Sequence, residues 1–283
     1  MKIGIIGLGL MGGSFGRTLV KKTEHTVYGY DLSDDVMLKA EMVKAFHEPL
    51  TTKNASELDM IVVAVRPEFF KSAIEKFLPL LKSGCIVHDF CGVKRQIVEQ
   101  MKDFSREFPH LIYVGGHPMA GRELSGISHS LTTLFDKASM ILVNVTADIF
   151  TIEALKNFYL SIGFSKVVIT TAENHDSMIA FTSQLCHIVS NAFIKNEQAE
   201  KHTGYSAGSY RDLTRVARLD PAMWAGLMVE NGDMLLSELD EFIVNITAYR
   251  DALKEGNQDK LYALLKEGND RKLQIDVKTA KNS

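Results

Sequence analysis

The sequence predicts an α/β fold in which a doubly wound parallel sheet is followed by an all-helical second domain. Through residues 1–170, short apolar runs alternate with amphipathic stretches, the order of elements that builds a sheet covered by helices. Several runs are apolar almost throughout, as expected for strands that helices cover on both faces. After about Thr171 the strand pattern stops and only helical spacing continues. We therefore place a domain boundary between residues 171 and 172.

Seven apolar runs are predicted to be strands of the first domain, at residues 2–7, 26–31, 60–65, 85–90, 111–115, 140–145 and 166–169. Helical patterns lie between them, for example at residues 92–104 and 149–162. Strands that alternate with helices in this way favour a parallel sheet.

The second domain, residues 172–283, shows two helical patterns. The first has apolar residues three and four positions apart on one face: Met178, Phe181, Leu185, Ile188 and Ala192. The second follows Pro221, and an unbroken helix over residues 222–249 would be about 42 Å long. Because such a helix exceeds the diameter of a small domain, we expect it to pack in a bundle or against another subunit. The pattern therefore favours a homodimer formed through the helical domain.

The composition argues against several classes of protein. Lys and Arg total 32 against 35 Asp and Glu, so the net charge is −3 and the chain lacks the basic excess of a nucleic-acid-binding protein. No apolar run reaches the roughly 18 residues that would suggest a membrane-spanning helix. Cys85, Cys91 and Cys186 are odd in number and have no metal-ligand spacing, which predicts a reduced, cytoplasmic protein without disulfides or a metal.

A glycine-rich loop directly follows the first predicted strand. Its GxGxxG motif consists of Gly7, Leu8, Gly9, Leu10, Met11 and Gly12. In such a loop the first glycine permits a tight turn, the second lets the backbone approach a pyrophosphate, and the third lets the following helix lie close to the strand. Asp31, 19 positions after Gly12, closes the second strand, where a carboxylate accepts hydrogen bonds from ribose hydroxyls. Residues 1–171 are thus predicted to form a Rossmann-type dinucleotide-binding domain; a glycine-rich turn without a ligand is the alternative.

The residues after Asp31 favour NAD over NADP. Asp34 and Asp35 follow closely, and no Arg or Lys stands beside them to neutralise a 2′-phosphate. Three carboxylates in five positions would repel that phosphate. The predicted cofactor is therefore NAD.

Two further segments carry candidate chemistry. His117 lies in a glycine-framed turn after a predicted strand, where it is either a proton acceptor for a substrate hydroxyl or a structural loop histidine. Arg211 and Arg215 either bind the carboxylate of an organic acid or pair with neighbouring aspartates. The adjacent His175 and Asp176 are interpreted as the capped start of a helix.

Two separated motifs behind the glycine loop carry a resemblance to a known family. The first runs from His117 through Pro118, Met119, Ala120 and Gly121, with Glu123, Ser125 and Gly126 following. The second runs from Asp212 through Leu213, Thr214, Arg215, Val216 and Ala217, with Pro221 and Trp224 behind it. Together they resemble the prephenate dehydrogenase family, which includes the arogenate and cyclohexadienyl dehydrogenases.

The resemblance implies NAD-dependent oxidative decarboxylation of prephenate to 4-hydroxyphenylpyruvate in tyrosine biosynthesis, or of arogenate directly to tyrosine. It implies that His117 is the catalytic histidine and that Arg215 binds a substrate carboxylate. The pattern alone suggests that His187 is a partly buried structural histidine, whereas the resemblance implies that it contacts the substrate. The resemblance also implies that Glu123 and Asp212 shape or gate the pocket. Residues 172–283 are then the substrate-binding and dimerisation domain. No residue distinguishes the keto group of prephenate from the amino group of arogenate.

The chain departs from the family pattern at two places. Gly92 stands where the family often has a serine that bonds the substrate and the catalytic histidine. Before His187, Ser183, Gln184, Leu185 and Cys186 replace the common Ser-His-Leu-Pro. Both departures bear on substrate choice more than on the class of reaction.

Two other functions compete with this interpretation. A dehydrogenase of β-hydroxyacids also combines an NAD domain with a helical domain, but such enzymes usually rely on a helical-domain lysine that has no convincing counterpart here. A non-catalytic NAD-binding regulator would keep the glycine loop and Asp31 and would not need both His117 and Arg215.

Overall fold

The computed structural model describes residues 1–122 and 124–281 and contains one eight-stranded sheet in the order β3-β2-β1-β4-β5-β6-β7-β8. The strands are β1 Lys2–Ile6, β2 Thr26–Tyr30, β3 Glu48–Pro49, β4 Met60–Val63, β5 Ile86–Asp89, β6 Ile112–Pro118, β7 Ser139–Asn144 and β8 Lys166–Thr170. All neighbouring strands are parallel except β6 and β7. The predicted α/β class is confirmed, and the seven predicted strands are present.

Two details of the sheet differ from the prediction. β7 runs antiparallel to β6. Among the described residues between them there is a 3-10 helix, Ile127–His129, but no α-helix of the kind that usually connects parallel strands. β3 was not predicted, since it is a two-residue edge strand whose residues are exposed and include a proline.

Helices cover both faces of the sheet, as the apolar strands require. Those of the first 170 residues are α1 Leu10–Lys22, α2 Asp34–Met42, α3 Phe70–Ile74, α4 Arg95–Glu107 and α5 Ile149–Ser161. On one face α1 and α5 contribute Phe15 and Phe158 to a buried cluster, and on the other α3 and α4 contribute Phe70 and Phe104. All four residues of β4 between these layers are buried.

The chain after β8 is helical. Its helices are α6 Ala172–Ile179, α7 Cys186–Phe193, α8 Gly208–Thr214, α9 Pro221–Glu230, α10 Gly232–Lys254 and α11 Gln258–Lys281, and a π-helical segment, Ala180–Leu185, joins α6 to α7. The predicted apolar face of the first pattern is buried only in part: Leu185 is buried and Ile188 is partly buried. Met178 and Phe181 are 50% and 55% exposed, whereas His175, Asp176 and Gln184 are buried. The segment therefore buries polar side chains together with apolar ones such as Ile179 and Leu185.

The long helix predicted over residues 222–249 is interrupted. α9 ends at Glu230 and α10 begins at Gly232, with Asn231 in between. The Asn231 side chain is fully buried and hydrogen-bonds the backbone oxygen of Asp176, the side chain of Gln184 and Arg95 Nη2. The backbone of Asn231 leaves the helical region, with φ −105° and ψ 22°, and this ends α9.

The residues form two compact units, Met1–Gly232 and Asp233–Ser283. In the second unit α10 and α11 are linked by the Tyr249 hydroxyl, which donates to the Leu264 carbonyl at 3.1 Å. Many of its large apolar side chains are exposed, namely Leu236, Ile243, Val244, Ile246, Leu253, Tyr262, Leu265, Leu273, Ile275 and Val277. Within the described part of the chain, no helix combines the length and the apolar character that crossing a membrane requires. The division at residues 171 and 172 stays a prediction.

Candidate active site

The glycine loop has the backbone geometry that the motif predicts. Gly7 has a φ of +88°, and a Cβ there would lie 2.6 Å from the carbonyl oxygen of Ala64. A Cβ on Gly12 would overlap the carbonyl oxygen of Gly7. A Cβ on Gly9 would meet nothing within 4 Å. The loop therefore packs tightly against β4 and α1 while Gly9 remains open.

The N-terminus of α1 fits a pyrophosphate. Gly9 precedes the helix, and no side chain caps the backbone N–H groups of its first turn. The first turn also contains no acidic residue that would repel a phosphate. The partly exposed Leu10 and Met11 lie in this turn, whereas the Leu8 side chain is fully buried in the core. The open Gly9 and the uncapped helix end together provide a site for the phosphates of a dinucleotide.

Asp31 lies beside this loop at the end of β2. Its Oδ2 accepts the Leu8 backbone N–H at 2.8 Å, and its Oδ1 accepts the Ser33 N–H at 3.0 Å. Each carboxylate oxygen has two acceptor sites, so both oxygens retain capacity for ribose hydroxyls. Asp31 therefore ties the glycine loop to the second strand, a contact that spacing alone did not predict.

His117 belongs to β6, whose carboxyl end lies at the same edge of the sheet as the glycine loop. β1, β4, β5 and β6 are mutually parallel, and ligands of such sheets gather outside the carboxyl ends of the strands. The preceding Gly116 donates its N–H to Asp89 Oδ1 at 3.0 Å, and a Cβ on Gly116 would overlap the buried ring of His88. Gly116 thus lets β6 lie against β5 and fixes the position of His117.

His117 is the first member of a chain of three polar side chains. Its Nδ1 lies 2.9 Å from Nε2 of His175, and Nδ1 of His175 lies 2.7 Å from Oδ1 of Asp176. His175 and Asp176 are buried, whereas His117 is partly exposed. Burial lowers the pKa of His117 well below the ordinary histidine value, and His175 and Lys94 lower it further, against Asp176. His117 is therefore neutral at neutral pH.

Asp176 also caps a helix, though not the one that the sequence suggested. The Thr171 side chain caps α6, so the interpretation of His175 and Asp176 as its capped start is wrong. Asp176 instead accepts the backbone N–H groups of Lys94 and Arg95, at 2.7 and 2.9 Å, at the start of α4. Burial acts to raise the pKa of Asp176, but the hydrogen bonds from His175 and from these N–H groups outweigh it and lower the pKa.

A buried ion pair, Lys94 with Asp89, lies nearby. The Lys94 ammonium bonds the Asp89 carboxylate, and both side chains are fully buried. Asp89 also accepts the backbone N–H groups of Cys91 and Gly116, so its charge is surrounded by donors. The pair fixes the loop between β5 and α4 next to the strand that carries His117.

His187, on α7, is held by the segment that the second motif supplies. Its Nδ1 lies 2.9 Å from the carbonyl oxygen of Val216, and its ring centroid lies 3.9 Å from that of Trp224. Burial lowers the pKa of His187, and the positive charge of Arg215 lowers it further, against the Val216 carbonyl. A neutral imidazole that donates from Nδ1 keeps Nε2 as an acceptor. Arg215, which follows α8, and Asp212 are exposed.

Leu227 lies where a side chain at position 92 would extend. A Cβ on Gly92 would be 3.2 Å from Leu227 Cδ2 and 3.5 Å from Cδ1. Glycine provides no hydroxyl at this position, and the side chain that contacts His117 Nδ1 is His175. Glu123 lies outside the described residues. In the described part of the chain, no group of three or more His, Cys, Asp or Glu side chains is arranged to hold a metal ion.

Comparisons with known proteins cover nearly the whole chain. Residues 15–168 match the family model described as prephenate dehydrogenase, nucleotide-binding domain, and residues 171–267 match prephenate dehydrogenase, dimerization domain. The second description agrees with the predicted homodimer. Together the two matches cover well over half of the chain.

Individual relatives agree with these matches. The cyclohexadienyl dehydrogenase of Zymomonas mobilis is 31% identical over 290 residues, covering 98% of this chain and 96% of that protein. The crystal structure of Synechocystis arogenate dehydrogenase has a TM-score of 0.80 at 24% identity and covers 97% of this chain and 100% of that one. The A. aeolicus prephenate dehydrogenase, in complex with hydroxyphenyl propionate and NAD+, has a TM-score of 0.81 at 24% identity and covers 97% and 98%. The predicted family and dehydrogenase class are confirmed by the two family-model matches and the Zymomonas mobilis relative, and the chain belongs to the prephenate dehydrogenase family.

Proposed function

We propose that the protein catalyses the NAD-dependent oxidative decarboxylation of prephenate to 4-hydroxyphenylpyruvate in tyrosine biosynthesis. The observation that carries this proposal is the placement of a neutral histidine, His117, at the sheet edge that also holds the glycine loop. A neutral imidazole there accepts the proton of a hydroxyl group while hydride leaves the same carbon. The family matches restrict the substrate to a cyclohexadienol acid.

The nicotinamide cofactor is held by the glycine loop and Asp31. The open backbone at Gly9 and the uncapped start of α1 receive the pyrophosphate, and Asp31 accepts the ribose hydroxyls. When bound, NAD accepts the hydride from the substrate carbon that bears the hydroxyl. Asp31, Asp34 and Asp35 disfavour a 2′-phosphate, so NAD is preferred over NADP.

His117 moves one proton at Nε2. It accepts the hydroxyl proton as the carbon is oxidised and returns it to the ring oxygen once the ring carboxylate has left as CO2. Loss of CO2 makes the ring aromatic, so the reaction is strongly downhill and the protein's main task is to position the reactants. The buried chain of His175 and Asp176 keeps the ring of His117 in place.

The substrate's carboxylates are held by groups on the helical segments. Arg215 binds one carboxylate through two parallel hydrogen bonds, and the neighbouring His187 contacts the substrate through Nε2. Asp212 and Glu123 shape the entrance to the pocket. Gly92 contributes backbone only, because Leu227 lies close to it.

The helical part, residues 172–283, binds substrate and forms the homodimer. The exposed apolar side chains of α10 and α11, among them Leu236, Val244 and Leu265, support burial against a second copy. We place the protein in the cytoplasm, since Cys85, Cys91 and Cys186 are all free thiols.

The proposal is tested by mixing the purified protein with NAD and either prephenate or arogenate and following NADH absorbance and product. We expect NADH and 4-hydroxyphenylpyruvate in equal amounts from prephenate, and much slower reduction of NADP. A higher kcat/KM with arogenate, with tyrosine as product, would replace prephenate as the substrate. Binding of NAD without turnover of either acid would instead indicate a non-catalytic regulator.

A further inference from the structure

The ring of His175 joins the carboxylate of Asp176 to the ring of His117, so the three groups form a series. Asp176 Oδ1 contacts Nδ1 of His175 at 2.7 Å, and Nε2 of His175 contacts Nδ1 of His117 at 2.9 Å. A carboxylate accepts hydrogen bonds only, so the proton between Asp176 and His175 must lie on Nδ1 of His175. In a neutral imidazole the other nitrogen, Nε2, then carries a lone pair and no proton.

The same reasoning applies to the next contact. Because His175 Nε2 is an acceptor, the proton between the two rings must lie on Nδ1 of His117. Nε2 of His117 is then unprotonated. Among residues 1–122 and 124–281, no group hydrogen-bonds to this atom. The series thus selects one of the two tautomers of His117, the one in which Nε2 accepts a proton.

Burial is the largest cause that lowers the pKa of both rings, and the charges around them act in both directions. Lys94 and Arg95 supply two positive charges, and Asp89 and Asp176 supply two negative ones. Burial lowers the pKa of His175, against the hydrogen bond that His175 donates to Asp176, and burial also lowers the pKa of His117. Lys94 lowers the pKa of both rings.

The carboxylate end of the series is itself held rigidly. Asp176 accepts the N–H groups of Lys94 and Arg95 through its two oxygens, and its backbone oxygen accepts Nδ2 of Asn231 at 2.9 Å. It cannot rotate away from His175 without losing these bonds. Asp176 therefore connects three parts of the chain: the loop before α4, helix α6 itself, and the break after α9.

We propose that His175, held by Asp176, is a positioning residue that fixes the tautomer of His117. The catalytic part of this inference rests on the proposed function, because it assigns the lone pair on Nε2 to the substrate hydroxyl. The tautomer itself is a property of the protein alone. In the family pattern a serine bonds the catalytic histidine, and in this chain, with Gly92 in its place, His175 has the orienting role.

The first experiment measures the tautomer without substrate. The full-length protein is labelled with ¹⁵N-histidine, and the His117 ring is assigned by comparison with His117→Asn. Two-bond ¹H–¹⁵N spectra at neutral pH are expected to show a protonated Nδ1 and an unprotonated Nε2. A protonated Nε2 on His117 would overturn the proposal, whatever reaction the protein catalyses.

The second experiment compares two variants of His175. His175→Leu removes the acceptor, so we expect kcat to fall about 100-fold or more, with the KM for prephenate and the Kd for NAD nearly unchanged. His175→Gln places an amide oxygen near the position of Nε2, so its kcat should be about tenfold higher than that of His175→Leu. Thermal melting of each variant checks that it folds.

The outcomes separate this inference from the proposed function. A folded His175→Leu variant with parental kcat, or a folded Gln variant no better than Leu, contradicts the positioning role. If neither variant folds, the tautomer of the parent protein decides. Parent protein that turns over neither prephenate nor arogenate contradicts the proposed function, while the NMR spectra still test the tautomer.

Discussion

Asp31 Oδ2 accepts the backbone N–H of Leu8 at 2.8 Å, so the carboxylate expected to bind ribose also holds the glycine loop. The two roles use different acceptor sites of the same side chain. Loss of Asp31 therefore removes a ligand contact and loosens the loop that receives the pyrophosphate.

Replacing Asp31 with Ser is expected to weaken NAD binding by about 1–3 kcal/mol, the usual cost of a lost charge-assisted hydrogen bond. The preference for NAD over NADP should also shrink, because one repelling charge is gone. Calorimetric titration with both cofactors measures both effects. Asp34→Ser, at an exposed position in the first turn of α2, is the matched control and should change NAD affinity much less. Equal losses in the two variants would contradict the assignment.

Arg215→Ala is expected to raise the KM for prephenate about 30-fold or more, since removing one member of a charge pair costs roughly 2–5 kcal/mol. The Kd for NAD should be nearly unchanged. Arg215→Lys should recover only part of the lost affinity for prephenate, because an ammonium cannot form the two parallel hydrogen bonds of a guanidinium. Arg211→Ala, in the exposed α8, is the control and should have little effect. A critical Arg211 and a dispensable Arg215 would place the carboxylate site elsewhere.

The kcat for prephenate is expected to stay constant through neutral pH and to fall only well below about pH 6.5, the ordinary histidine pKa. Burial lowers the pKa of His117, so the ring remains an acceptor until the pH drops further than for an exposed histidine. A pH profile of kcat at saturating NAD measures this. A decline that begins above pH 7 would contradict a buried, neutral His117.

His88 should make the fold sensitive to acid. Burial lowers its pKa to about 4, and its Nε2 has no hydrogen-bond partner in the described structure. The unfolded chain binds a proton at this residue below about pH 6.5 and the folded chain does not, so stability is complete above that pH and falls as the pH decreases. Between about pH 6.5 and 5 the loss from this residue is about 2 kcal/mol.

The check compares urea denaturation of the parent protein and of His88→Leu at those two pH values and at one protein concentration. The variant is expected to lose less stability on acidification, by about 2 kcal/mol. His25→Leu is the control, because His25 is only partly buried. The same acid sensitivity in the parent and in His88→Leu would show that His88 is not the group responsible.

Local patterns predicted the sheet because its strands are buried apolar runs. The four buried residues of β4 and the turn at Gly7 depend on neighbours close in sequence or on burial itself. The two-residue strand β3 is exposed and has no apolar run that would predict it. The antiparallel direction of β7 depends on the path of the loop that connects it to β6.

The missed parts of the site depend on contacts distant in sequence. His175 and Asp176 are separated from His117 and Lys94 by 58 and 82 positions, so the adjacent pair resembled a local cap. The one available signal was that two ionisable residues stand directly before an apolar helix pattern, with His175 three positions from its first member, Met178. The buried Asn231 side chain likewise has its partners on α4, α6 and the π-helical segment.

The central claim is that His117 accepts the substrate's hydroxyl proton at Nε2, and His117→Asn tests it most directly. The asparagine amide can still donate to His175, as Nδ1 does, but it offers nothing at the position of Nε2. We predict that kcat for prephenate falls about 10²–10⁴-fold while the Kd for NAD is unchanged. A kcat within a few-fold of the parent value would show that His117 is structural and would contradict the account.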